Sequence, residues 1–256
     1  CMRFALCHAP AARMHSAAEG RGTSGTVKKA KTGIVMNQMS EYYFCTMMVS
    51  TPMRRSEHRE TDMAEISAFL QQMSFGFLST KSAAEYPQIT PLNFVWTMDA
   101  LYFHSSRLGN KVTELKADNR VAFCVADEVA LVPSYFTSDK LACPATAFFK
   151  SVIVYGHALI VEDAEEKIAA LSAFMEKLQP EGGYSPFTMN DDEYRRNIKS
   201  VLVVKIVPDK ISAKFKFGQN RDKDSWEKTR DGLLQRAKPG DSEAVTEMEK
   251  RCPFHT

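Results

Sequence analysis

The sequence contains no apolar run that approaches the roughly 20 residues needed for a membrane-spanning helix. It also lacks a CxxC pair, and its six cysteines show no Cys/His spacing suited to zinc. A basic segment followed by an apolar stretch, the usual form of a signal peptide, is missing as well. We therefore expect a soluble, cytoplasmic protein with reduced thiols, no membrane partner and no bound metal.

Excess charge of either sign is also scarce. The formal net charge is +2 over 256 residues, and residues 1–51 hold six Lys or Arg against two Glu, which gives +4 and leaves −2 for residues 52–256. The slight basicity therefore belongs to the first residues, and we expect no nucleic-acid partner. The apolar share of 44% is enough for one sizeable core.

The chain divides by composition into three parts. Residues 1–52 are dominated by Ala, Gly, Ser, Arg and Lys and show no sustained apolar period. We interpret them as a disordered leader, or as the product of a start placed upstream of a natural start at Met53, with a transit peptide as the alternative. Residues 53–236 are predicted to form the folded domain, and residues 237–256 a helical or flexible tail.

Strand patterns outnumber helical ones in the folded part. Asp62 with Glu65 and Asp163 with Glu166 form capping boxes that each begin a helix, and residues 127–144, with two prolines, read as a loop. Because strands and helices do not alternate regularly, we predict a mainly β fold, an antiparallel β-barrel with peripheral helices. The predicted strands are 75–80, 88–97, 100–106, 120–126, 146–161, with a bulge or bend at Gly156, 200–207 and 211–217.

The stretch from Tyr86 to Lys116 carries the strongest functional signal. Two arms joined by Met98 and Asp99 indicate a β-hairpin, although the connection lacks the glycine that two-residue turns favour. A loop rich in Ser, Gly and cations then leads into a short helix. Free backbone N–H groups and the helix dipole at such a start favour an anion, most often phosphate, and the alternative is a solvated connection.

Motifs in this stretch resemble a known family. The segment YFHS, a short loop ending in NK, and then RVAFCV are similar to the split-barrel flavoproteins that include pyridoxamine 5'-phosphate oxidase. The nitroimidazole-reductase-like branch is the closer match, since PLNF, YFHS, SVIVYGHA and KFKFGQN occur in its order. The resemblance covers about residues 53–236 and implies an FMN-binding split barrel.

The resemblance also implies a set of FMN contacts. Ser105, Asn110 and Lys111 would grip the phosphate, with Ser106 or Arg107 as auxiliaries. Where the oxidase opens and closes its ring-binding segment with an arginine and a lysine, this chain has Gln88 and Asn93, which makes phosphorylated pyridoxal-type substrates less expected. The full set of implied cofactor contacts is Pro91, Leu92, Asn93, Phe94, His104, Ser105, Asn110, Lys111, Ser151, Lys214, Lys216 and Gln219.

One histidine is a catalytic candidate. His104 lies beside the predicted phosphate loop and would donate a proton near the flavin, whereas the alternative is an ordinary strand histidine. Lys214, Lys216 and Gln219 belong to a motif that, in relatives, approaches the cofactor from the partner subunit. An edge strand with its charges outward is the alternative for that motif. The resemblance thus implies a homodimer with FMN at the interface.

Three functions follow from the resemblance. The first is an FMN-dependent oxidoreductase that takes electrons from NAD(P)H and passes them to a small molecule such as a nitroaromatic. The second is a flavin-binding sensor or regulator without turnover. The third is a split barrel that holds haem or a deazaflavin in the same groove.

Overall fold

The computed structural model describes residues 53–82 and 86–254. The predictions made for residues 1–52 lie outside the described residues, as do residues 83–85 and 255–256. The strands are β1 (Arg59–Glu60), β2 (Phe75–Thr80), β3 (Gln88–Asn93), β4 (Val95–Thr97), β5 (Ala100–Ser105), β6 (Arg120–Val132), β7 (Thr146–Val161) and β8 (Leu202–Lys216). The helices are α1 (Met63–Gln72), α2 (Asn110–Ala117), α3 (Ala164–Leu178), α4 (Asp192–Ser200), α5 (Lys223–Arg236) and α6 (Asp241–Lys250).

The strands form one antiparallel sheet that curls into a half-barrel. Its order is β3-β2-β6-β7-β8-β5-β4, with β1 added on β8. The three long strands β6, β7 and β8 lie side by side at its centre, and helices flank the sheet. The predicted fold class, a mainly β split barrel with peripheral helices, is therefore confirmed.

The central strands bend at an irregularity that the sequence predicted. The register between β7 and β8 shifts between Tyr155 and Gly156, which confirms the bulge or bend expected there. A Cβ atom on Gly156 would lie 2.0 Å from the carbonyl oxygen of Val207, so only glycine lets the two strands approach this closely.

Two predicted boundaries were wrong. The segment 127–144 was expected to be a loop, but β6 continues to Val132 and pairs with β7 along this length, with a register shift between Glu128 and Ala130. The strands predicted at 200–207 and 211–217 are one strand, β8, because Pro208 pairs with Gly156 and the bulge absorbs Asp209 without ending the pairing.

The hairpin forms as predicted between β4 and β5, but its first arm is shorter. Residues 88–93 form β3, which pairs with β2, and Phe94 separates it from β4. Met98 and Asp99 join Thr97 to Ala100 and have φ values of 50° and 54°. Both turn residues thus adopt the left-handed conformation of a type I′ turn without a glycine.

The helix starts follow the predicted aspartate caps, but neither glutamate makes the reciprocal contact of a capping box, since the carboxylate of Glu166 accepts hydrogen bonds from Tyr102 and Lys205. The side chains of Asp62 and Asp163 accept hydrogen bonds from the N–H groups of Ala64 and Glu166. The reciprocal contact expected from Glu65 is made instead by Glu60, whose carboxylate accepts the N–H of Asp62. The carboxylate of Glu65 pairs with the Lys250 ammonium at the end of α6.

Residues 237–254 pack against the sheet. Helix α6 buries Ala244, Val245 and Met248 in the main hydrophobic cluster, which also holds Phe69, Phe215 and most inward side chains of the strands. A second, smaller cluster lies between α3 and strands β4, β5, β7 and β8. The part of the chain that was predicted as a helical or flexible tail contains this helix.

Candidate functional site

The junction of β5 and α2 has the properties of an anion site. Gly109 is the N-cap residue of α2 and has φ 123°, a conformation that L side chains rarely adopt. Among the described residues no side chain caps α2 or α6, whereas aspartates cap the starts of α1, α3, α4 and α5. The first N–H groups of α2 thus have no side-chain acceptor, and an anion would satisfy them.

Lys111 supplies a cation at this junction. Its Nζ atom lies 5.5 Å from the centre of the Phe103 ring, and desolvation lowers the pKa of its ammonium. In the described part of the chain Lys111 forms no ion pair with a carboxylate. A half-buried cation without a counter-ion gains from a bound anion, because the anion offsets its lost hydration.

His104 lies on the other face of β5 from Ser105, because side chains alternate along a strand. Its ring packs edge-on against Phe174 of α3, with the ring centres 5.0 Å apart. Burial, and then the charge of Lys111, lower the pKa of His104. The imidazole is therefore neutral at neutral pH and still lies within the electrostatic range of Lys111.

The two auxiliary candidates have local partners instead. The guanidinium of Arg107 donates to the carbonyl oxygens of Ser200 and Lys199, at 3.0 and 3.1 Å, and so caps the C-terminus of α4. The hydroxyl of Ser106 accepts the N–H of Leu108 at 3.1 Å. Ser105 thus ends β5 and Asn110 and Lys111 begin α2, on either side of the loop, whereas Arg107 contacts a different helix.

The proposed ring segment on β3 presents alternate residues to the two sides of the sheet. Pro91 and Asn93 pair with Phe77 and Phe75 of β2 and lie on the outer face. Leu92 packs against the main core, and Phe94 is fully buried, so these two would offer a ligand on the outer face only backbone atoms. Sequence reasoning had treated the four residues as equivalent.

Ser151 and Lys214 lie on the same outer face, farther across the sheet. They are partners in the β7–β8 pairing, and the side chains of Lys214 and Lys216 both lie over the ring of Phe149, 5.3 and 5.8 Å from its centre. The Nζ atom of Lys216 also donates to the hydroxyl of Thr146. Both lysines are turned away from the core, but the predicted edge strand is wrong, because Lys214 pairs with Ser151 of β7 on one side and with Arg59 of β1 on the other.

Gln219 is engaged in holding the end of β8. Its side-chain oxygen accepts the N–H of Phe217 at 2.8 Å and contacts Nδ1 of His58 at 3.0 Å, and its nitrogen donates to the carbonyl of Phe215 at 2.7 Å. Since that oxygen is the acceptor, Nδ1 of His58 is the donor. These contacts leave Gln219 one free N–H for any ligand.

The outer face of β2, β3 and β7 is unusually apolar for an exposed surface. Phe75, Phe77, Ile89 and Tyr155 are 49, 47, 60 and 39% exposed, and the first two rings contact each other with centres 6.1 Å apart. The pairing register places all four on one side of the sheet. Large apolar side chains gathered on one exposed face of a sheet indicate an interaction surface. We name these four residues the outer patch.

The two groups of predicted cofactor contacts lie far apart in one protomer. Ser105 pairs with Leu202 at the start of β8, whereas Lys216 is the last residue of that strand. The path between them along β8 is about 45 Å at ~3.3 Å per residue. A single small ligand would contact both groups only if a second copy supplied one of them.

Arg221 is a further candidate that sequence reasoning missed. It follows the KFKFGQN motif directly, and its guanidinium donates to the carbonyl of Pro144 at 3.1 Å, which brings it to the start of β7. In the sequence, the only sign of a role for Arg221 was its position next to KFKFGQN. Its contact with Pro144 could not be predicted, because the two residues are far apart in sequence.

The family follows from comparison with known proteins. The family model described as pyridoxamine 5'-phosphate oxidase matches residues 62–215, which is more than half of the chain. The chain belongs to the pyridoxamine 5'-phosphate oxidase family. The resemblance inferred from YFHS, SVIVYGHA and the other motifs is thus confirmed. The matched region includes all of β8 except its last residue, Lys216.

Three solved structures with the same fold contain or concern proteins of related kinds. A flavocytochrome from Azotobacter vinelandii is 20% identical, with a TM-score of 0.55, covering 69% of this chain and 78% of that one. An FAD- and haem-binding protein from Mycobacterium smegmatis is 16% identical, with a TM-score of 0.54, covering 68% and 80%. A candidate 5-nitroimidazole antibiotic resistance protein from Bacteroides thetaiotaomicron is 24% identical, with a TM-score of 0.51, covering 61% and 85%.

A search of the curated proteins found no match to this family member. Among its described residues, no helix has the length and apolar character required to cross a bilayer.

Proposed function

We propose that this chain is an FMN-dependent oxidoreductase that works as a homodimer. The observation that carries the proposal is the uncapped, glycine-led N-terminus of α2, which lies beside the half-buried ammonium of Lys111. Membership of the pyridoxamine 5'-phosphate oxidase family and the flavoproteins among the structural relatives support a flavin as the anion-bearing ligand.

The residues at the junction fit a phosphate monoester. Lys111 would supply one charge-assisted hydrogen bond, the first N–H groups of α2 would supply neutral donors, and Ser105 and Asn110 would supply a hydroxyl and an amide. Gly109, with φ 123°, turns the backbone into the helix in a conformation that L side chains rarely adopt, and the space within 4 Å of its Cβ position is open. Bound FMN would supply hydride acceptance from NAD(P)H and electron transfer to a small acceptor such as a nitroaromatic.

His104 would serve as a proton-holding group near this site. Its lowered pKa keeps the ring neutral at neutral pH, so one ring nitrogen is available to accept a proton and the other to donate one. Its position on the opposite face of β5 from Ser105 means that it would act on the side of the strand covered by α3, toward Phe174.

A second copy of the chain would complete the site. The outer patch adjoins Pro91 and Asn93, and covering it would remove four large apolar side chains from water. Association through this face would let the far end of β8 in one protomer approach the α2 junction of the other. Lys214 is the better placed of the two lysines for that contact, because Lys216 is turned toward Thr146.

The test is flavin binding by the purified full-length chain. We expect a yellow protein with a flavin absorption spectrum, and FMN titration with Lys111→Ala should give a Kd at least about tenfold higher, the cost of one charge-assisted hydrogen bond. Lys116→Ala, an exposed lysine on the same helix, is the matched control and should bind FMN like the wild type. Equal affinities for the two variants would remove the phosphate assignment.

Two further readouts separate the remaining functions. Consumption of NAD(P)H on addition of a nitroaromatic compound supports an oxidoreductase, and tight FMN binding without turnover supports a sensor or regulator. A Soret band instead of a flavin spectrum would support haem, which is bound by the M. smegmatis relative.

A further inference from the structure

A second group of cations lies at the far end of β8 from Lys111. The charges of Lys214, Arg221 and Arg55 all act on Lys216, and desolvation, followed by these three cations, lowers the pKa of its ammonium. Burial also lowers the pKa of Arg221. Partly buried like charges repel one another, and a bound anion would offset that repulsion.

The carboxylates near this group are committed elsewhere. Asp222 caps α5 by accepting the N–H of Ser225 at 2.9 Å, and Glu57 pairs with Arg55 at 3.3 Å. Within residues 53–82 and 86–254, neither Lys216 nor Arg221 forms an ion pair with a carboxylate. The four cations therefore outnumber the two carboxylates, and an excess of positive charge remains.

The backbone shapes a cavity at this point. Gly218, with φ 84°, turns the chain after β8, and the N–H of Arg221 closes the turn on the carbonyl of Gly218 at 3.0 Å. The turn carries the Arg221 guanidinium back to the start of β7, where Pro144 accepts its hydrogen bond. A cavity of about 220 Å³ lies between these elements, lined by Thr146, Phe148, Lys216, Asn220 and Arg221 among others.

The size and chemistry of the cavity indicate the ligand. Pockets for drug-sized molecules are ~300–1,000 Å³, so this cavity is suited to a small group rather than a whole dinucleotide. Its polar lining combines an ammonium, a guanidinium, an amide and a hydroxyl, a donor set that matches a tetrahedral dianion. The Arg221 guanidinium uses one of its five N–H groups on Pro144, which leaves a pair for a bidentate contact.

We propose that the cavity between Thr146 and Arg221 binds a phosphate group of a small-molecule ligand, with Lys216 and Arg221 as the charged contacts. Within one protomer this site lies at the opposite end of β8 from the α2 junction. The group that it binds would be that of a second small molecule, and titration with and without FMN distinguishes that molecule from the flavin.

The experiment is a titration of inorganic phosphate into the full-length protein at constant ionic strength, followed by calorimetry or phosphorus NMR. It is done once without flavin and once with FMN at saturation. We expect saturable phosphate binding that persists under FMN, and a Kd at least about tenfold higher in Arg221→Gln. Arg196→Gln, an exposed arginine on α4, should bind phosphate like the wild type.

Each contrary result overturns the proposal. The proposal is wrong if no saturable binding is seen, or if Arg221→Gln and wild type bind phosphate equally. It is also wrong if FMN displaces the phosphate fully, because that result assigns the phosphate to the flavin site. If Arg221→Gln does not fold, as judged by its thermal unfolding, Lys216→Gln takes its place with the same expected loss. If FMN does not bind, the flavin-free comparison of Arg221→Gln with wild type is the test, because the α2 junction is the same in both proteins.

Discussion

The Nζ atom of Lys150 lies 2.9 Å from Oε1 of Glu247, which joins a central strand of the sheet to the last helix of the chain. The same ammonium lies 3.0 Å from Glu243. Although desolvation opposes it, the two glutamates raise the pKa of Lys150, so this side chain is charged in the folded protein. Arg251 extends the network from Glu247 to Glu60 of β1.

We predict that Glu247→Gln destabilises the protein by about 3 kcal/mol, because it leaves the buried Lys150 and Arg251 charges short of a partner. Glu243→Gln is the matched control on the same helix. The Glu243 side chain is 42% exposed against 12% for Glu247, so its loss should cost under about 1 kcal/mol. Urea unfolding measures both, and equal losses would show that burial of the pair does not matter.

Lys177 should make stability depend on pH. Burial lowers the pKa of its ammonium to about 8 from an ordinary value of 10.5. Between these two pH values the folded protein binds fewer protons at Lys177 than the unfolded chain, so the free energy of unfolding rises with pH on its account. The group faces the carbonyl oxygens of Leu70, Met73 and Phe94.

We expect this rise to disappear in Lys177→Met. The free energy of unfolding of wild type minus that of the variant should become more positive as the pH increases across the window, when both are measured by urea unfolding. Lys116→Met, at an exposed position, should keep the wild-type dependence. A difference that is constant with pH would show that Lys177 keeps its ordinary pKa.

Substitutions in the β4–β5 turn should increase the stability of the protein. Met98 and Asp99 both have positive φ values, which cost an L residue about 1–2 kcal/mol relative to glycine. Met98→Asn with Asp99→Gly supplies the residues that a type I′ turn prefers, and we predict about 1 kcal/mol of added stability. Met98→Ala, which keeps the strain, should give no gain, and thermal unfolding distinguishes the two. A loss in the double variant would mean that the Met98 side chain has a role of its own.

The same hairpin shows why local signals sufficed in some places. Its two-residue connection was predicted despite the missing glycine, because Trp96 and Leu101 on the paired arms are both apolar and both bury. Strand β7 was predicted with its observed bounds, Thr146–Val161, since its β-rich run is continuous. Burial of such runs outweighs the cost of a poor turn, so pattern alone finds them.

Other features depend on residues far apart in sequence, and pattern could not find them. The contact of Arg221 with Pro144 joins two loops, and the hydrogen bonds from Arg107 to Lys199 and Ser200 join a loop to α4. The extent of β6 was missed because residues 127–144, with two prolines, indicated a loop, whereas pairing with β7 decided the outcome up to Val132. Tertiary pairing overrides local propensity in such segments.

The outer patch leads to the last prediction, on assembly. Phe77 is 47% exposed and lies at the middle of the patch, between Pro91 on β3 and Cys124 on β6. If two copies associate through this face, Phe77→Asp places a charge in a buried apolar interface. We then expect the mass measured by light scattering to fall to that of one chain, and the affinity for FMN to fall with it.

Leu234→Asp changes a similarly exposed apolar residue on α5 and should alter neither the mass nor the FMN affinity. A Phe77→Asp protein that remains a dimer would place the interface elsewhere, and a wild type that is already a monomer with full FMN affinity would mean that one protomer contains the whole flavin site.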